Sequence, residues 1–178
     1  MKRRGEFDPR RLDIDAFADQ GASLAGEWPL QVLERLSSLV LPEAPGHPVC
    51  WHAVGEERLG ADRQRQRWVR LGVACNVRMT CQRCLEPVAI ALSVERAVRF
   101  VATEAEAERL DLESEDDVLA TSRRFDLLEL VEDELVLALP TVPRHEVCQP
   151  PAALGGEAAT SAPRANPFEV LRHRNGGG

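Results

Sequence analysis

Apolar positions along the chain follow two periods, one helical and one alternating, and their order predicts most of the elements. After Pro29, a residue tolerated in a first helical turn, Leu30, Leu33, Leu36, Leu39 and Val40 recur at helical spacing until Pro42 ends the run. This predicts a short amphipathic helix over about 29–39. The segment before it, up to Gly26, has weak periodicity and predicts no element. A loop marked by Pro42, Pro45, Gly46 and Pro48 leads into three strand-like runs. The first covers about 49–57. The second covers about 66–80, with Trp68, Val69, Leu71, Val73, Val77 and Met79 as its apolar members. The third covers 88–101, where Ile90, Leu92, Val94, Val98 and Phe100 alternate with small or polar residues. Residues 81–87 form the turn between the last two, so an antiparallel meander of about three strands is expected.

Residues 104–117 hold almost no apolar side chains and predict an exposed loop or short surface helix, followed by a brief strand at 118–120. A second helix then starts after Asp126 and stops at Pro140, with Leu127, Leu128, Val131, Leu135 and Ala138 on one face. Glu129, Glu132 and Asp133 fall on its polar face, while Glu134 turns towards the apolar edge, as a carboxylate with an arginine partner would. Beyond Cys148 the composition shifts to Pro, Ala, Gly, Ser and Thr, a linker signature broken by one apolar island, Asn166-Pro167-Phe168-Glu169-Val170-Leu171. The expected organisation is one α+β domain over 1–148, an antiparallel meander flanked by two helices. A flexible tail over 149–178 carries a short docking peptide whose Pro167, Phe168, Val170 and Leu171 order on a partner or on the domain itself.

At 178 residues, 44% hydrophobic and 29% charged, the chain is long enough for one real core. No apolar run approaches the ~18 residues that cross a bilayer, and the basic start, with Asp13 and Asp15 following, is not a secretory signal. With five cysteines and no disulfide framework to read, the expected compartment is the reducing cytoplasm. Cys50 and Cys75 read as small core residues of strands. The net charge of -7 is unevenly spread: residues 104–117 hold eight acids against Arg109, while arginines gather at Arg58, Arg63, Arg65, Arg67 and Arg70. A net charge of -7 is awkward for a general RNA binder, because phosphate neutralisation supplies most non-specific affinity.

The chemistry-bearing motif is Cys81-Gln82-Arg83-Cys84 in the predicted hairpin turn, with His145 and Cys148 at the same spacing further on. Two cysteines separated by two residues bring both sulfurs to one point. Its strand–turn–strand setting argues against a thiol–disulfide site, which usually opens a helix. One structural zinc held by Cys81, Cys84, His145 and Cys148 is one reading; two reduced turn cysteines are the other. Arg63, Arg65 and Arg67 alternate along an extended run and share a face, either as a phosphate-binding ridge or as a charged edge that blocks strand pairing. No phosphate-cradling glycine loop, nucleophile elbow or two-histidine metal helix occurs, so a non-enzymatic protein is expected.

Three segments together resemble one bacterial family, the large ribosomal RNA subunit accumulation protein YceD. They are the knuckle Cys81-Gln82-Arg83-Cys84-Leu85-Glu86-Pro87-Val88, the run from Leu127 through Glu132-Asp133-Glu134 and Leu137-Ala138-Leu139-Pro140 to His145, and the tail peptide. The early Arg11-Leu12-Asp13-Ile14 fits more loosely. Some proteins of that family carry a second full cysteine pair where this chain has His145 and Cys148. The resemblance implies a role in synthesis, processing or stability of large-subunit ribosomal RNA. Two partners are consistent with that role. One is the large-subunit rRNA, met by Arg63, Arg65, Arg67 and Arg83. The other is a basic large-subunit ribosomal protein, held by an adaptor through Glu132, Asp133, Glu134 and the tail. No membrane and no small-molecule substrate are expected.

Overall fold

The three alternating runs form long antiparallel strands in the computed structural model, which describes residues 7–42, 48–60 and 63–151. They are β2 (Val49–Leu59), β3 (Arg65–Thr80) and β4 (Pro87–Val101). Two further strands widen the sheet to five: β1 (Ser23–Trp28) pairs antiparallel with β2, and β5 (Asp117–Ala120) lies parallel to β4. The parallel pairing needs a crossover, and the acidic segment supplies it as α3 (Glu104–Glu113). Thr103 caps that helix by accepting from the Glu106 amide.

The described residues hold four α-helices where the sequence predicts two flanking helices and a further surface segment. The first, α1 (Ile14–Asp19), starts at Asp13, whose carboxylate accepts from the Ala16 amide. Neither α1 nor β1 shows in the hydrophobic pattern, because each has six residues and β1 is at most half-buried on its inner face. The helix expected over 29–39 is broken. A 3-10 turn, Leu30–Val32, gives way at Leu33 (φ -94°, ψ 83°) to α2 (Glu34–Leu39). The break rotates the register so that Leu30, Leu33 and Leu36 all reach the core, while Leu39 stays exposed. The last helix, α4 (Leu127–Leu137), is capped by Asp126, which accepts from the Leu128 amide.

The core lies between one face of the sheet and α1, α2 and α4. Trp51, Leu71, Val73, Val77 and Phe100 meet Ile14, Phe17, Leu36, Val131 and Leu135 there. Gly55 marks the closest approach, since a Cβ on it would sit 2.4 Å from the Phe17 carbonyl oxygen. Strand alternation settles the two isolated cysteines differently: Cys75 points inward and is buried, whereas Cys50, next to inward-facing Trp51, is exposed and is no core residue. The tail peptide with Pro167, Phe168, Val170 and Leu171 lies outside the described residues.

Candidate metal centre

The β3–β4 connection is short and tightly bonded. The Cys81 amide donates to the Glu86 carbonyl (2.9 Å), and the Leu85 amide returns to the Cys81 carbonyl (2.9 Å). Closing so small a turn puts Leu85 in the left-handed region (φ 65°), a conformation that a non-glycine residue holds only when its surroundings impose it. The turn aims backbone amides at a sulfur: the Arg83 N–H points at Cys81 Sγ, 3.5 Å away. Past α4, Pro140 ends the helix, and the exit loop runs back across this turn. There the Gln82 amide donates to the Pro143 carbonyl (2.8 Å), and the Arg83 guanidinium donates to the Cys148 carbonyl (3.4 Å).

These bonds bring the four expected residues together. The ligand atoms of Cys81, Cys84, His145 and Cys148 all lie within 4.8 Å of one another. Cys81 Sγ is 3.8 Å from Cys148 Sγ, and Cys84 Sγ is 3.3 Å from His145 Nδ1. A disulfide needs about 2.05 Å, so no cysteine pair is joined. Four ligands about 2.3 Å from one zinc ion stand about 3.8 Å apart, close to the sulfur–sulfur separation found.

The imidazole is set for coordination. His145 Nε2–H donates to the Pro87 carbonyl (3.1 Å), which leaves Nδ1 as the lone-pair nitrogen facing the sulfurs. The sulfurs are unequal. Burial opposes the Cys81 thiolate, but the amides of Cys84, Arg83 and His145 outweigh it and pull its pKa down to about 5. Burial, and then hydrogen bonding to the Cys81 and Cys84 sulfurs, push the Cys148 thiol up. Three sulfurs so close cannot all be anionic without a cation among them, and one dication removes that repulsion. The group can therefore hold a metal ion, and its donor set of three sulfurs and one imidazole suits zinc.

The other expected site residues lie elsewhere. Arg65 pairs with Glu57 (3.0 Å) and Arg67 with Asp19 (2.9 Å) and Asp15 (3.4 Å), so two arginines of the expected ridge are held by carboxylates. Arg63 sits in the β2–β3 turn with positive φ (61°), off the extended run that would have aligned it with them. Arg83 belongs to the knuckle. Trp68 is buried, and the Arg58 guanidinium lies 4.4 Å from its ring centroid.

Glu132 corrects its expected place on the polar face: it is only 7% exposed. Its Oε1 accepts from the Arg35 (2.7 Å) and Leu36 (3.2 Å) amides, and its Oε2 accepts from Arg35 Nε (3.0 Å). Leu33, at the N-cap of α2, has no side chain able to cap the first turn. Glu132 therefore caps α2 from another helix. Asp133 also binds Arg35, and Glu134 accepts from Arg96 Nε on β4 (2.9 Å). The three carboxylates tie α4 to α2 and to the sheet. Periodicity misses Glu132 because its main partners are backbone amides, which leave no trace in residue identity.

The model of one protein family, described as Large ribosomal RNA subunit accumulation protein YceD, matches residues 69–173, more than half of the chain. That span takes in most of β3, the knuckle, β4, α4 and the exit loop. Among curated proteins, the Large ribosomal RNA subunit accumulation protein YceD of Haemophilus influenzae is 36% identical over 104 residues. The aligned part is 56% of this chain and 60% of that relative, so it spans less than two thirds of the relative's length. No solved structure matches the chain.

Proposed function

Since the chain belongs to the family of the large ribosomal RNA subunit accumulation protein YceD, we propose that it acts in synthesis, processing or stability of large-subunit ribosomal RNA, as a non-enzymatic assembly factor in the cytoplasm. The family match over residues 69–173 carries this reading. The metal group supports the non-enzymatic part. Four protein ligands saturate a tetrahedral ion and leave no position for substrate, so zinc held by Cys81, Cys84, His145 and Cys148 would stabilise rather than catalyse. Bound there, zinc would supply folding energy by fastening the exit loop to the β3–β4 turn. Among the described residues no helix is long and apolar enough to cross a membrane.

Depleting the protein from cells tests this role. The ratio of large- to small-subunit rRNA should fall selectively and recover when the gene is restored. An unchanged ratio would mean that the family fold is kept without the family role. Pull-down from nuclease-treated extract then separates direct RNA contact from an adaptor, because a ribosomal partner that survives nuclease favours the adaptor.

A further inference from the structure

Two arginine pairs far apart in sequence, Arg10-Arg11 and Arg123-Arg124, flank a single antiparallel β-bridge on either side, so that Arg11 and Arg124 are diagonal neighbours across it. The Leu12 amide donates to the Phe125 carbonyl (2.8 Å) and the Phe125 amide to the Leu12 carbonyl (2.9 Å). Leu12 is fully buried, so the bridge is anchored in the core. The Arg124 amide donates to Ser122 Oγ (3.1 Å), which closes the turn that presents Arg123 and Arg124. Beside the bridge lies a cleft of about 520 Å³ lined by Arg10, Arg11, Ser122 and Arg124, with Phe125 and Leu130 among its apolar walls.

Five arginines of the strands are neutralised, whereas Arg11, Arg123 and Arg124 at the bridge, like the scattered Arg63, Arg78 and Arg144, have no ion pair with a described residue, and only at the bridge do such arginines share a cleft. Arg58, Arg65, Arg67, Arg70 and Arg96 are each held by a carboxylate. Arg11, Arg123 and Arg124 are exposed and make no ion pair with any described residue. The acids of the cleft are largely committed: Asp126 takes Arg10 on one oxygen and the α4 cap on the other, and Asp133 takes Arg35. Glu129 alone lacks a described partner. The cleft thus offers guanidinium groups free to bind anions beside apolar walls against which a base can pack. Phosphates of a splayed single strand fit that combination better than an acidic protein face, which needs no cleft.

Resting on the rRNA reading above, we infer that this cleft binds single-stranded RNA, with Arg11 and Arg124 on backbone phosphates. RNA contact then belongs to the cleft between the Arg10–Arg11 segment, the end of β5 and α4, not to the Arg65–Arg67 ridge of β3.

The test uses the full chain and a labelled single-stranded RNA of mixed sequence, titrated across a salt series. At about 0.7 decades of affinity per phosphate contact for each tenfold change in salt, two contacts predict roughly 25-fold weaker binding at ~0.1 M salt for R11Q/R124Q. The slope against log salt should fall by about 1.4. Glu129→Gln should tighten binding, and Arg65→Gln should leave it unchanged. All three variants alter exposed side chains and should melt like the unmodified protein. A folded R11Q/R124Q variant that binds as well as the unmodified protein overturns the inference and leaves the rRNA reading intact. An unmodified protein that ignores RNA at low salt but binds an acidic ribosomal protein through Arg11 and Arg124 also overturns it. The role in rRNA accumulation is read separately, from the subunit-rRNA ratio.

Discussion

Replacing Glu132 with alanine removes the cap of α2 from a site on α4. The Arg35 and Leu36 amides lose their acceptor, and Leu36 is fully buried, so water does not easily take the carboxylate's place. A hydrogen bond to a charged acceptor contributes about 1.5–3 kcal/mol, and loss of an N-cap costs about 0.5–2 kcal/mol. The two descriptions overlap and do not add. The contact with the Arg35 side chain is exposed on the arginine side and adds little after solvent screening. Together these terms predict a loss of about 2–4 kcal/mol for Glu132→Ala, or a drop in Tm of about 5–12 °C for a domain of this size. Glu132→Gln keeps one acceptor oxygen and should lose about half as much. Urea titration with far-UV dichroism measures both, with Glu129→Ala on the exposed face of α4 as control, expected within about 0.5 kcal/mol of the unmodified protein. Equal midpoints for Glu132→Ala and the control would refute the capping role.

Three other outcomes follow from the same geometry. Before chelation, a chromogenic thiol reagent should find one fast cysteine, exposed Cys50, and three more after the metal is removed, while buried Cys75 reacts only on unfolding. Gly55→Ala forces a Cβ against the Phe17 carbonyl and should destabilise by about 1–3 kcal/mol, read from the same urea curves. His145→Ala removes both the Nδ1 contact with Cys84 Sγ and the bond to the Pro87 carbonyl, so hydrogen exchange should speed up at the Gln82 amide that meets the exit loop while the β2–β3 ladder stays protected.

Long strands and long amphipathic helices were legible because repetition averages out local exceptions. The three alternating runs each lie within two residues of β2, β3 and β4, and four buried apolar positions of α4, Leu127, Leu128, Val131 and Leu135, gave that helix away, while Ala138, expected on the same face, is its exposed C-cap. The α+β class and the family resemblance both hold. What escaped was short or non-local. In α1 only Ile14, Phe17 and Ala18 face the core, too few positions to show a period. The break at Leu33 keeps leucines at helical spacing while the backbone leaves the helix, so the spacing alone is misleading. The brief strand expected at 118–120 is β5, but its parallel direction depends on α3 as crossover rather than on its own composition. The grouping of Cys81, Cys84, His145 and Cys148 was legible from spacing, as one of two readings of those residues. The features that orient them, the Pro87 carbonyl behind His145 and the Pro143 carbonyl on Gln82, are backbone groups whose position only folding determines. Likewise, the free arginines beside Phe125 become a cluster only through the Leu12–Phe125 bridge.

Whether the exit loop is fastened to the β3–β4 turn by a metal comes down to the zinc content of the full chain purified without an affinity tag, set beside that of Cys84→Ser. Three thiols and one imidazole converging within 4.8 Å predict about one zinc per chain, lost in the variant together with part of the stability. Fully folded protein that carries no metal, and a variant equally stable, would contradict the closed site and leave Cys81, Cys84, His145 and Cys148 as neighbours without a common ligand.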